Sequence, residues 1–156
     1  MAQVNGVNYA QTQTLKTPKV DKGEKNGRVK CLQEEFTFTA NVFALNDEIL
    51  GLSLPKGCKI VDAEVVIPAS LGTTGIFSLG FKATEDKDGN AVAEDPNGLV
   101  LAADGGGSAA RQRMEAAAAG YNLELGAEAQ TFLLCTEATD AANGLSISYK
   151  VYYIVD

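Results

Sequence analysis

The sequence predicts an all-β protein: an antiparallel β-sandwich of jelly-roll type with about eight strands, one short inserted helix and an extended N-terminal arm. Three observations predict it. The stretch from Ile49 to Phe81 holds three apolar runs rich in β-branched residues, separated by Pro55-Lys56-Gly57 and by Leu71-Gly72-Thr73-Thr74-Gly75. Short apolar runs bounded by Gly and Pro read as strands joined by tight turns. Leu145 to Val155 alternates strictly, with Leu145, Ile147, Tyr149, Val151, Tyr153 and Val155 on one face. A helical pattern with caps occurs once, from Ser108 to Ala119.

The chain has 156 residues, the size of one domain. A fold of this length buries roughly 70% of the surface its unfolded chain exposes, so it needs no covalent staples. The sequence divides into an arm, 1–27, and a sandwich body, 28–156. Residues 1–27 show no hydrophobic period: Gln3, Asn5, Asn8, Gln11, Thr12, Gln13, Thr14 and Thr17 dominate. Such a stretch is either a disordered terminus or one that orders only against a partner, and an extended arm is the expectation.

Arg28 to Thr39 alternates, with Val29 and Cys31 on one face, and Phe36 and Phe38 on one face after a shift. Glu34-Glu35 breaks the period and reads as a β-bulge. Asn46-Asp47 marks a turn, and Ile49 to Leu54 the next strand. Cys58 to Ala69 is the longest central strand; Lys59, Val61, Ala63, Val65 and Ile67 form its core face. Pro68 takes it out of the ladder. Gly75 to Ala83 follows, with Phe77, Leu79, Phe81 and Ala83 toward the core, and pairs with the preceding strand as a hairpin across Gly72-Thr73-Thr74.

Asp88-Gly89 and Asp95-Pro96-Asn97-Gly98 are turn signals. Leu99 to Asp104 reads as a helical turn. In the Ser108–Ala119 helix Ser108 is the N-cap, Arg111 and Glu115 stand four apart, and Gly120 suits the C′ position. Tyr121 to Leu125 and Thr131 to Thr136 are further strands. Asp140 to Gly144 makes the last turn before the final strand.

Net charge is −7, which argues against unspecific binding to nucleic acid or to an anionic membrane. The charge is divided unevenly. Residues 1–30 carry six basic and two acidic residues, a balance of +4, and the remainder is −11. The arm residues Lys16, Lys19, Lys22, Lys25 and Arg28 are the candidate partner-binding set, directed at an acidic surface such as a neighbouring copy. No apolar leader and no run of about 18 apolar residues is seen, so neither a signal peptide nor a membrane-spanning helix is expected.

No constellation predicts an enzyme. There is no histidine, which removes Ser-His-Asp and Cys-His catalysis and the commonest metal ligand. Gly105-Gly106-Gly107 lacks the Lys-Ser/Thr pair of a phosphate loop. Cys31, Cys58 and Cys135 have neither zinc nor redox spacing and read as buried free thiols, as in a reducing cytoplasm. Asp86-Lys87-Asp88-Gly89-Asn90, with Glu94 and Asp95, offers oxygen ligands but not a full calcium loop; a hairpin turn accounts for the same residues. Asp62 and Glu64 share a strand face and read as solvated rather than as a glycosidase pair. Of Tyr149, Tyr152 and Tyr153, only Tyr152 is expected outside the core. No cofactor, metal or small-molecule substrate is expected.

Two stretches carry a family resemblance. Leu54 to Val61 reads Leu-Pro-Lys-Gly-Cys-Lys-Ile-Val, and Ala69 to Gly80 reads Ala-Ser-Leu-Gly-Thr-Thr-Gly-Ile-Phe-Ser-Leu-Gly. They resemble a pattern in virion structural proteins of tailed bacteriophages, the small head-decoration (cement) or minor capsid proteins. The polar arm, the Asp-Gly-Asn turn and the closing Tyr/Val strand are similar too, whereas Cys58 stands where that pattern has a small residue. The resemblance implies a protein made in the host cytoplasm and carried on the outer capsid surface of the virion. It implies a homotrimer whose partners are the major capsid protein and copies of itself, bracing an icosahedral shell. A carbohydrate-binding β-sandwich module, calcium-dependent through the Asp86–Asp95 turn, is the alternative. A glycoside hydrolase or lyase on a jelly roll is a third reading.

Overall fold

The computed structural model describes residues 3–5, 29–39, 43–139 and 141–155. Eleven strands form among them. In chain order they are β1 (Gln3–Asn5), β2 (Val29–Thr37), β3 (Glu48–Leu54), β4 (Cys58–Ile67), β5 (Ile76–Phe81), β6 (Thr84–Glu85), β7 (Ala91–Val92), β8 (Asp95–Asp104), β9 (Ala110–Arg113), β10 (Ala129–Glu137) and β11 (Ser146–Val155). A five-stranded sheet has the order β1-β3-β10-β5-β8, and a four-stranded sheet the order β2-β11-β4-β9. The β6-β7 hairpin stands apart. All pairings are antiparallel except β1 on β3.

The two sheets face each other as a sandwich. Leu32, Phe36, Ala63, Val65, Ile67, Ile147 and Val151 of one meet Ile49, Leu54, Phe77, Leu79, Phe81, Leu133 and Cys135 of the other, all buried. At one end Phe36, Phe38, Phe43 and Phe77 form a ring cluster with centroids 5.2–6.2 Å apart, mostly edge-on. Each such pair adds about 0.5–1.5 kcal/mol beyond its buried area.

The final strand matches its sequence pattern: Ile147, Tyr149, Val151 and Tyr153 are buried on one face of β11. Several other expectations are corrected. The helix at Ser108–Ala119 is absent. Ala110–Arg113 is instead β9, antiparallel to β4, with turns following. Alanine propensity is a weak preference that tertiary pairing overrides. Here Arg111 and Arg113, two apart, reach the same strand face and pair with Glu64 and Asp62 of β4. The helical turn at Leu99–Asp104 is also absent: these residues end β8. Two register shifts against β5, between Phe77/Leu79 and Leu79/Phe81, hide the alternation there.

β4 and β5 do not form a hairpin. Each pairs within a different sheet, and 68–75 is the crossover between them. No bulge occurs at Glu34-Glu35, because β2 runs in register on β11 from Thr37↔Ser146 to Val29↔Ile154. The period breaks only in polarity: Glu34 points inward with Leu32 and Phe36 and is 1% exposed. β4 does carry a bulge, at Val61, since Asp62 faces Tyr152 while Ile60 faces Tyr153. That shift turns Cys58 and Ile60 inward and leaves Lys59 and Val61 half-exposed, against the expected core face. Ala83 is exposed. Tyr121–Leu125 gives only isolated bridges, Lys59↔Glu124 and Asp86↔Leu125. Asp95-Pro96-Asn97-Gly98 lies within β8. Asn46 (φ 70°) makes the expected turn, with Asp47 accepting the Ala44 N–H at 3.0 Å.

Of the arm, Gln3–Asn5 docks as β1 beside β3, opposite Glu48 to Leu50. Lys16, Lys19, Lys22, Lys25 and Arg28 lie outside the described residues, as does Asp140 of the last turn.

One contact joins the sheets through polar atoms. The Tyr149 hydroxyl of β11 lies 2.6 Å from Thr131 Oγ1 of β10, and Thr131 donates to the Leu52 carbonyl at 2.7 Å. A Cβ on Gly51 would lie 1.5 Å from the Tyr149 oxygen. Gly51→Ala should therefore lower stability by about 1–3 kcal/mol through overpacking, read from the urea midpoint. The penalty should shrink in a Tyr149→Phe background, where the colliding hydroxyl is gone, giving a clear coupling in the double-mutant cycle.

Candidate interaction surfaces

The two outer faces differ in chemistry. On the four-stranded sheet, β4 presents Asp62 and Glu64, β9 presents Arg111 and Arg113, and β11 presents Lys150 and Tyr152. Alternation puts them on the face opposite the core. Glu64 is 1% exposed although it points outward, because its neighbours fold over it. It accepts from Arg111 Nε at 2.9 Å and Nη2 at 2.5 Å, and from the Tyr152 hydroxyl at 3.4 Å. Lys150 Nζ stands 3.5 Å away. Burial pushes the Glu64 carboxyl up, but the Arg111 bonds and the Arg111 and Lys150 charges outweigh it and leave its pKa below the usual carboxylate range. Arg113 pairs with Asp62. Both carboxylates of the glycosidase reading are thus held by arginines.

On the five-stranded sheet β10 turns Phe132 outward, and this residue is fully buried, with Leu50 and Gly80 as its cross-strand neighbours. Lys82 Nζ sits 4.1 Å above the Phe132 ring and pairs with Glu48 at 2.8 Å and Glu94 at 3.2 Å. Desolvation lowers the Lys82 pKa, yet the two carboxylates more than offset it and raise it. The lysine covers the ring with its stem and a charge.

The ends of the sandwich differ as well. Near the β6-β7 hairpin, Lys87 and Lys59 both pair with Glu124, at 3.0 and 3.8 Å. Asp86 closes the turn on itself: Oδ1 accepts the N–H groups of Asp88 (2.9 Å) and Asn90 (2.8 Å), and Oδ2 accepts Asn90 Nδ2 (2.9 Å). Its oxygens serve as turn acceptors, and no group of three Cys, Asp or Glu able to hold a metal ion forms among the described residues.

At the opposite end the loops are tied together. Thr139 Oγ1 donates to the Leu71 carbonyl and Thr74 Oγ1 to the Ala138 carbonyl, both at 2.6 Å. The N–H groups of Leu71, Gly105 and Gly107 bond the carbonyls of Gly105, Gly75 and Gly72 at 2.8–2.9 Å. Gly75 holds φ 137°, where a Cβ would also crowd Thr139 at 3.0 Å.

Along the β8 flank a shallow groove of about 270 Å³ opens between that edge strand and the 115–119 turn. Its apolar lining is Leu101 and Ala117 to Ala119, with Asp95, Asn97 and Glu115 beside them. Leu101 is 58% exposed. The Gly120 N–H, bonded to the Gly98 carbonyl at 2.7 Å, holds the two walls together. Sequence reasoning did not find this groove. Its acids stand twenty positions apart, and its second wall was read as a helix.

Cys58 and Cys135 are buried, as expected, but Cys31 is exposed on β2. Tyr149 and Tyr153 are core residues, and Tyr152 is half-exposed.

The fold is thus an all-β double-sheet sandwich with a polar network on one outer face and a lysine-capped aromatic on the other. No protein-family model matches the chain, and no curated protein sequence does. Among solved structures its fold matches a chain of "Capsid of Ralstonia phage GP4", with a TM-score of 0.71 and 20% sequence identity over 99% of each chain.

Two outcomes follow from the side-chain environments. Burial pushes the thiols of Cys58 and Cys135 up to about 12 and about 11. A disulfide reagent at mildly alkaline pH should titrate one thiol, Cys31, in the native protein, and all three after denaturation. Glu64 titrates below its unfolded value, so its pairing stabilises the fold above the ordinary carboxylate range and is lost as pH falls through the depressed folded pKa. Glu64→Gln should therefore be less stable than the parent at neutral pH, and the gap between their denaturation midpoints should close on acidification through that window.

Proposed function

We propose that this chain is a virion structural protein of a tailed bacteriophage, one that binds the outside of an icosahedral capsid and braces it. The observation that carries this is the end-to-end match of its fold to a chain of a phage capsid structure. The turn motifs at Leu54–Val61 and Ala69–Gly80 support it from the sequence side. We read the sandwich as a jelly roll. The long strands change sheet at each step from β2 to β5 and again from β8 to β11, an arrangement in keeping with the double-sheet folds of viral capsid proteins.

In this reading the protein is not an enzyme and uses no cofactor. Its partners are the major capsid protein and copies of itself, arranged as a homotrimer on the outer surface. The −11 of residues 31–156 and the +4 of the first thirty residues supply complementary charge between neighbours, and area burial supplies the strength. A rigid polar face and a sealed aromatic face suit a part that holds shape under load.

The test is reconstitution. Shells of the encoding phage, purified from a strain that lacks this gene, are mixed with the purified protein and sedimented. Saturating, stoichiometric co-sedimentation and a raised temperature of genome release are expected. A truncation lacking residues 2–26 should stay folded by circular dichroism yet lose the binding. A full-length protein that stays in the supernatant at all concentrations rejects the decoration role. A truncation that still saturates the shells rejects the part given to the arm.

A further inference from the structure

The outer face of the four-stranded sheet has no assigned occupant. Cross-strand pairing sets what stands on it. Val29, Ile154 and Lys59 form one row, Cys31, Tyr152 and Asp62 the next, and Lys150, Glu64 and Arg113 lie beyond. Val29 is 59% exposed, Cys31 is exposed, and Tyr152 and Ile154 are half-exposed. Four adjoining side chains thus offer carbon and sulfur to the outside at one end of the face, next to the arginines.

The charges on this face are layered. Glu64 is buried and the Asp62 side chain is 29% exposed, while the side chains of Arg111 and Arg113 above them are 63% and 62% exposed. Glu64 takes two of the five N–H donors of Arg111, which leaves three for another acceptor. The carboxylates hold the guanidinium groups in place, so little side-chain freedom remains to be lost on contact. The exposed acid of the face, Glu35, is separated from Arg111 by Ser148 and Val66. Residues 31–156 carry seven basic and 18 acidic residues, so exposed guanidinium runs against the charge of the body. Arginine and aromatic residues are also those enriched where proteins bind proteins.

Charge says what fits. Guanidinium pairs with carboxylate, so the complement of this face is acidic, with an apolar contact beside the acids. The chain's own first thirty residues, at +4, have the wrong sign. Two copies meeting through this face about a two-fold axis would set arginines near arginines.

We propose that the outer face of the four-stranded sheet is the docking face, and that its occupant is an acidic protein surface of the capsid shell. Carboxylates of that surface meet Arg111 and Arg113, and an apolar side chain lies on Val29, Ile154 and Tyr152. The proposal rests on the reading that the chain binds a shell, and it adds which face makes the contact and the chemistry it meets.

The test uses the full chain, free and on purified shells that lack it. Iodoacetamide is added to each, and alkylation of Cys31 is followed by mass spectrometry. On saturated shells Cys31 should react roughly tenfold more slowly than in the free protein. Val29→Glu and Val29→Lys remove the same apolar contact and differ in the sign of the charge they add. Both should keep the parent's circular dichroism, since the side chain is exposed. The Lys variant should half-saturate shells at a concentration roughly tenfold lower than the Glu variant, because like charge facing a carboxylate surface is penalised. Cys31 alkylated equally fast on and off saturated shells, or Glu and Lys variants that bind alike, overturns the docking face while decoration stands. Alkylation that slows in the shell-free protein as its concentration rises assigns the face to a second copy and also overturns the proposal. Shells left bare by the parent overturn decoration and this proposal together.

Discussion

The sandwich depends on a hydrogen-bonded chain that passes between its sheets. The Leu52 carbonyl can only accept, so the Thr131 proton is committed to it and the Tyr149 hydroxyl must donate to Thr131. Burial above all drives the phenol pKa upward, and the Glu34 charge adds to it, so the hydroxyl keeps the proton that the chain needs. Gly51 makes room for it. A hydroxyl left unmatched between two apolar sheets costs about 1–3 kcal/mol. One register satisfies it, so the contact fixes β11 over β3 and β10 while the apolar residues around it supply most of the burial.

That fixed register places the surfaces. With Tyr149 facing in, Lys150 and Tyr152 must face out beside Glu64, and Arg111 and Arg113 complete the network from β9. With Thr131 facing in, Phe132 must face out, where Lys82 covers it. The two faces are consequences of one alternation seen from opposite sides. The groove, by contrast, lies on a flank and is set by the Gly120–Gly98 bond rather than by strand phase.

Strand phase explains how much of this was legible in the sequence. β11 and β5 keep their period through the buried span, and their core faces could be read directly. β4 changes face at Val61 and β8 slips twice against β5; each slip is a backbone event that leaves no fixed mark in residue type. Glu34 looked like a break in β2 because a buried carboxylate is rare, yet the strand ran on through it. β9 was hidden by the alanines on either side of it: the cue was the pair Arg111 and Arg113 at strand spacing, matching Asp62 and Glu64 at the same spacing on β4. The turns at Asn46 and Asp86-Gly89 were readable because their chemistry is local. The groove was not, since Asp95, Leu101 and Glu115 meet only after the chain has folded.

The tied loops at the far end of the sandwich have a mechanical meaning. Antiparallel ladder bonds lie across the strands, so a pull along a strand loads many in shear, while a pull at a loose corner breaks them one at a time. Thr139 on Leu71, Thr74 on Ala138 and the Gly105–Gly75 and Gly107–Gly72 bonds leave no loose corner among those loops. A tug on any one of them is shared with its neighbours before a strand can peel. Those loops therefore resist peeling together, in the way of a rivet rather than a spring.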